Sequence, residues 1–285
     1  MKAAARGGGT SGEKEGRSMK YSFMSFSCPE ATLKEALDLA KATGYAGFEP
    51  RIDSGHGHGI EPDMPADQRR EARRIMADSP VVLCCLATSV RLASRSGLSA
   101  ALDAARRSIE LCVDLGIPRM RVFGGPIDEG QTRGEAIDQM AGALDALSAE
   151  IGEADVCLCV ETHDSWCEPE HVARVMRRCR GRHVGVNWDL MHPLLAAHAD
   201  MEETFGLLRP YIRHVHIHGG TYVGGLKFLP IEGNVIDHRL ALRDLMGMGY
   251  EGWLSGEWIN WDRPGYLAEE LNTMRRYEEE LKCIR

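Results

Sequence analysis

The 285-residue chain is predicted to fold as a single (β/α)8 TIM barrel of the α/β class with a disordered N-terminal tail. Three observations predict it. Eight short apolar runs alternate with longer amphipathic ones. Those runs read as strands buried on both faces, the mark of a parallel sheet. No GxGxxG follows the first of them, so closure of eight units is favoured over an open dinucleotide-binding sheet.

The elements follow in order. Residues 1–19 begin "MKAAARGGGTSGEKEGRS", a Gly/Ser/charged stretch without the apolar segment of a secretory signal, and Met19 is an alternative start. The barrel is placed at 20–285. Its strands are "YSFMSF" (21–26), "GFEP" (47–50), "VVLCCLA" (81–87), "RMRVFG" (119–124), "VCLCVE" (156–161), "HVGVNWD" (183–189), "HVHIH" (214–218) and "WLSGE" (253–257). Between them run "ATLKEALDLAKATG", "PADQRREARRIMADS", "SAALDAARRSIELCVDLG", "RGEAIDQMAGALDALSAEIG", "EPEHVARVMRRCRG", "MEETFGLL", "DHRLALRDLMGMG" and the closing "GYLAEELNTMRRYEEELK", each with helical spacing. Gly44, Gly116 and Gly249 close helices, where a positive φ is needed. Pro118 cannot continue a helix and leads into the fourth strand.

Composition narrows the function classes. A hydrophobic content of 44% suits a sizeable core, and a formal charge of -8 disfavours nucleic acid as a partner. No apolar run approaches the roughly 18 residues of a membrane span. Nine cysteines lack any CxxC pair and lie largely in apolar runs, so a reduced, cytoplasmic protein is expected.

In a barrel of this kind, residues at the C-terminal ends of the strands converge on one mouth. The late strands end in Glu161, Asp189, the histidine strand and Glu257. His214, His216 and His218 alternate along their strand and share a face. Three carboxylates and an imidazole form an oxygen-rich site suited to Mn²⁺, with Mg²⁺, Co²⁺ or Zn²⁺ as competitors. Helix capping, or pairing with arginines, is the plainer account of the same acids. Glu49 ends the second strand as a substrate-binding or supporting acid, and "DSGHGHG" (53–59) places His56 and His58 on the loop beyond it. Trp188 and Trp258 adjoin the acids and are expected as aromatic walls for a sugar.

"VETHD", "NWDLMHP", "IRHVHIHG", "LPIEGNVID" and "GYEGWLSGEW" resemble motifs of the xylose-isomerase-like barrels: sugar phosphate isomerases, keto-sugar epimerases, inosose dehydratases and their relatives. The resemblance runs from about residue 20 onward and is strongest after 155. It implies Glu161, Asp189, His216 and Glu257 as metal ligands, with Glu161 and Glu257 also catalytic. It implies that His163, His192 and His218 meet substrate. It departs at Tyr222, where keto-sugar 3-epimerases carry an arginine.

The implied activity is divalent-metal-dependent isomerisation or epimerisation of a keto-sugar or related polyol through an enediolate. The alternative is β-elimination on a keto-inositol or 3-keto-glycoside, with His163 or His192 as acid. An apurinic-endonuclease-type phosphodiesterase is less favoured: the third and fourth strand ends, "CCLATS" and "RVFGGP", carry no histidine. The expected partner is a small carbohydrate, with neither nucleic acid nor membrane; a homo-oligomer is left open.

Overall fold

The computed structural model describes residues 18–283, so the predicted tail lies outside the described residues except for its last two. Those two are held: the Met19 amide donates to Glu278 Oε1 at 3.1 Å and Lys282 Nζ donates to Ser18 Oγ at 3.2 Å.

In chain order the strands are β1 (Lys20–Met24), β2 (Gly47–Glu49), β3 (Val82–Leu83), β4 (Leu86–Arg91), β5 (Arg119–Phe123), β6 (Cys157–Glu161), β7 (Val184–Asp189), β8 (Ile212–Ile217), β9 (Gly219–Thr221), β10 (Lys227–Leu229) and β11 (Trp253–Gly256). The helices are α1 (Leu33–Thr43), α2 (Ala66–Ala77), α3 (Leu98–Leu115), α4 (Arg133–Ile151), α5 (Pro169–Arg178), α6 (Met191–Ala196), α7 (Met201–Leu208), α8 (His238–Gly247) and α9 (Tyr266–Cys283). Parallel pairing gives the order β3-β2-β1-β11-β8-β7-β6-β5-β4. The two edge strands are consecutive in sequence, so the predicted third strand is one bent segment, 82–91. It pairs with β2 through its first half and with β5 through its second. A lone parallel bridge, Arg51 to Ala87, joins the two sides and closes the barrel.

Local signals hold the helices in place. Thr32 with Glu35, and Thr132 with Glu135, form reciprocal capping boxes at the starts of α1 and α4. A threonine cap of this kind contributes roughly 0.5–2 kcal/mol. Gly44 and Gly116 take φ of 90° and 68° at the ends of α1 and α3, as expected. The main core lies between the sheet's outer face and the helices, where Phe23, Phe48, Leu144, Val186 and Leu242 are fully buried. Each such side chain contributes roughly 1.5–3 kcal/mol through burial.

Two elements were not expected. The glycine-rich stretch after the histidines forms an antiparallel hairpin, β9 with β10, and the short helix α6 follows β7 directly. Among the described residues no helix is long and apolar enough to cross a membrane. All nine cysteines are free.

At the N-terminal end of the barrel, Trp253 lies against Gly47. A Cβ built on that glycine would stand 2.6 Å from the indole and 2.9 Å from Ser22 Cβ, with no flexible group to yield. Gly47→Ala should therefore destabilise the protein by about 1–3 kcal/mol, the usual cost of overpacking. Urea unfolding measures it, and an unchanged midpoint would contradict this packing.

Candidate metal and substrate site

The strand ends converge as the barrel requires. Glu161 closes β6, Asp189 closes β7, His216 lies in β8 and Glu257 follows β11; one donor atom from each falls within 4.8 Å of the others. His216 organises the group. Its Nδ1 lies 2.9 Å from Glu161 Oε1 and 3.0 Å from Glu257 Oε2. Its Nε2 lies 3.2 Å from Glu49 Oε1, and Glu49 Oε2 accepts from His214 Nε2 at 2.8 Å. Glu49 is thus fully buried beneath the group, holding two imidazoles.

Asp189 divides its oxygens. Oδ1 accepts the Met191 and His192 amides at 2.8 and 2.9 Å, capping α6; Oδ2 accepts from His218 Nε2 at 2.7 Å. Thr162 steadies the strand end by accepting the Asp189 amide at 3.0 Å. The plainer account of these acids is therefore partly realised, since Asp189 does cap a helix.

Glu161 also has a basic neighbour that sequence reasoning missed. Arg121 of β5 is 1% exposed, and its Nε lies 3.3 Å from Glu161 Oε2 without an aimed hydrogen bond. Its Nη1 donates to the Thr88 carbonyl at 3.0 Å, and its guanidinium lies 3.9 Å over the Phe123 ring. The signal was available: an arginine in the apolar run "RMRVF" cannot be buried without a charge to meet it.

The remaining expected residues separate into two groups. His163, His192 and His218 do gather at the mouth, with ring centroids 4.2 Å apart for the first pair and 6.0 Å for the second. His163 Nδ1 lies 2.8 Å from Asp164 Oδ1, and His192 Nδ1 lies 2.6 Å from the Tyr222 hydroxyl on the hairpin. Trp188 turns away from the mouth, and neither its indole nor that of Trp258 is open to solvent. Both are fully buried, Trp188 against Phe205 on the helix side and Trp258 against Trp261 and Tyr266. His56 and His58 are engaged beside the site and not in the donor group: His56 Nδ1 meets Ser25 Oγ after β1 at 2.8 Å, and His58 Nδ1 accepts the Ile60 amide of its own loop at 3.0 Å.

Charge is concentrated here. Burial opposes ionisation of Glu49, yet the charges of His214 and His216 hold its carboxyl well below the usual range. Burial likewise opposes the charged form of Glu257, but its hydrogen bond and charge contact with His216 bring it down to about 2. Burial would lower His216; the charges of Glu49 and Glu161 instead raise it well above an ordinary imidazole. Burial is outweighed at His163 too, where the Asp164 bond and the Glu161 charge bring it to about 9. A field that draws a proton onto His216 equally favours a divalent cation, and the donor set fits one: three carboxylates, one imidazole, and a carboxylate on the far ring nitrogen to fix its orientation.

The profile of the family described as "Xylose isomerase-like TIM barrel" matches residues 37–283, and the chain belongs to that family. No curated protein matches it by sequence. Among solved structures, the probable 3-DHS dehydratase AsbF from Bacillus anthracis superposes with a TM-score of 0.75 at 14% identity, covering 90% of this chain and 99% of that one. An L-ribulose 3-epimerase gives 0.74 at 16% identity, covering 93% and 96%. The 3-keto-D-glucoside 4-epimerase YcjR from E. coli gives 0.71 at 13% identity, covering 93% and 100%. At these identities the likeness is one of fold.

His58 provides a check on the loop beside the site. Burial, then the charge of His56, pushes its imidazole down to about 4. An unfolded chain takes up this proton near pH 6.5, so the group's contribution to stability is present above that pH and is lost as pH falls toward 4. Histidine NMR titration should place the His58 midpoint near 4, whereas a midpoint near 6.5 would mean that the loop is open to water.

Proposed function

We propose that Glu161, Asp189, His216 and Glu257 hold a divalent cation, Mn²⁺ first among the candidates, and that the barrel isomerises or epimerises a keto-sugar or related polyol. The observation that carries this reading is His216: Nδ1 faces two glutamates that reach it from different strands, while Nε2 is occupied by Glu49. A hard, oxygen-rich donor set favours Mn²⁺ or Mg²⁺ over softer ions. Family membership and the epimerases among the structural neighbours support the same chemistry.

The bound ion would supply Lewis-acid polarisation of a ketone oxygen. The protein's own groups do the rest. Glu257 is ionised at neutral pH, as a base must be, and either it or Glu161 takes the proton from the carbon beside the carbonyl. With Glu257 as base, Glu161 would enter the step carrying a proton taken up from solvent and deliver it to the opposite face, which inverts the centre in an epimerisation and leaves the proton on Glu257. His192, braced by Tyr222, and His218, braced by Asp189, would bind substrate hydroxyls.

A second reading has its own support. His163 stands beside His192 at the rim with Asp164 behind it, where an imidazolium could protonate a departing oxygen. The same proton abstraction would then proceed to β-elimination on a keto-inositol or 3-keto-glycoside. A dehydratase among the structural neighbours is consistent with this.

Calorimetric titration of Mn²⁺ tests the ligand set. His216→Ala should abolish binding, and Glu49→Gln, which weakens the grip on the ring, should reduce affinity about 10–100-fold. If His218→Ala empties the site and His216→Ala does not, the assignment fails.

Turnover tests the chemistry. Keto-sugars and 3-keto-glycosides are incubated with Mn²⁺ in D₂O and read by NMR: isomerisation incorporates deuterium with retention of all oxygens, and elimination gives an enone or enol. Glu161→Gln and Glu257→Gln should each lower kcat by about 10² or more. Near-native turnover in both would place the base elsewhere.

A further inference from the structure

The carboxylate–histidine group leaves the layer of the barrel interior beneath it unexplained. Strand pairing sets Asn187 of β7 opposite His214 of β8, Ser255 of β11 opposite His216, and Ser22 of β1 opposite Ser255, so these side chains share the inner face. In such barrels that face is ordinarily filled by bulky branched apolar side chains. Here it holds Ser22, Asn187, His214 and Ser255 together with Glu49 and Cys85, all fully buried. Among the described residues, Ser22 Oγ, Ser255 Oγ, His214 Nδ1 and both amide atoms of Asn187 have no hydrogen-bond partner. Buried groups of this kind are satisfied in proteins by ordered water or by an ion.

Three donors in this layer stand close enough to share one. Glu49, Cys85 and His214 each offer a ligand atom within 4.8 Å of the others. Glu49 Oε2 and His214 Nε2 are already 2.8 Å apart. Ligands on one zinc ion, with bonds of about 2.0 Å at tetrahedral angles, stand roughly 3.3 Å from each other. The pair therefore has to open by only about half an ångström. Glu49 and an ionised Cys85 would together neutralise a divalent cation. Sulfur separates this set from the mouth: a thiolate selects a softer ion than carboxylates do. A cysteine serving only as apolar filler would gain nothing from a carboxylate beside it.

We propose that Glu49, Cys85 and His214 bind a second divalent cation, Zn²⁺ by preference, inside the barrel. The ion takes the place of the proton between His214 Nε2 and Glu49 Oε2. That proton moves to Nδ1, the unpartnered ring nitrogen, and the proton of the Cys85 thiol is released to solvent. A water completes the tetrahedron, and Asn187 and Ser255, on the strands flanking β8, are the groups that can hold it. Glu49 Oε1 stays on His216, so the mouth keeps its anchor. Cys85 gives the ion a mechanical task. It sits in the two-residue link between β3 and β4, so the ion ties that bend to β2 and, across the interior, to β8.

Protein produced in cobalt-supplemented medium tests the site. A thiolate on Co²⁺ gives an intense near-ultraviolet charge-transfer band, which the sulfur-free mouth cannot give. The native protein and Glu257→Gln should both show the band, and Cys85→Ala should lose it. In zinc medium, after dialysis against EDTA, the native protein should retain zinc and Cys85→Ala should not. If Cys85→Ala does not fold, Cys85→Ser, which keeps the side chain's size, is read in its place; if neither folds, the native band decides. No band in the native protein, or a band that survives replacement of Cys85, overturns the site. Because the band reports sulfur alone, its absence would leave the Mn²⁺ reading of the mouth standing.

Discussion

One buried carboxylate sets the register of the whole mouth. Glu49 lies within the barrel with both oxygens engaged, one by His214 and one by His216. A charge so buried is tolerable only when paired and hydrogen-bonded, and the partners come from β8, which is not a sheet neighbour of β2. The interaction therefore crosses the bore. It orients the His216 ring, and that orientation presents Nδ1 to Glu161 and Glu257. Move Glu49 and the upper group loses its reference.

Above that anchor the acids are held by unlike means, and the differences have chemical consequences. Asp189 is fixed by two backbone amides and His218, which leaves it little freedom. Glu161 has Arg121 alongside, and Glu257 has its contact with His216. On the proposed reading the two side-chain-braced glutamates would move protons, and the aspartate held by backbone amides would only position.

The barrel was legible because parallel strands covered on both faces must be apolar, and the helices between them showed their spacing. The four converging residues were legible for the same reason: a charge closing an apolar strand has few places to go. Trp188 was misjudged through proximity in sequence. It adjoins Asp189, but neighbours in a strand face opposite ways, and its indole went to the helices. The hairpin was hidden because "GGTYVGG" has no alternation to read, and one of its two strands, Gly219–Thr221, is mostly glycine. α6 was hidden because its cap is Asp189, a residue already assigned to the site.

The bend in the third strand has a mechanical meaning. Elsewhere neighbouring strands pair directly, like staves hooped along their length, with register shifts only in the β4–β5 and β7–β8 pairs. At 82–91 the wall is a seam, stapled by the Ile52 and Ala87 amides, each donating at 3.0 Å, and by the Arg51 guanidinium reaching the Ala87 carbonyl. A cylinder yields first where its hoop is thinnest. Here that line runs between Arg51–Asp53 and Ala87–Ser89, so local opening of the barrel is expected to begin at this seam, before any paired strand lets go.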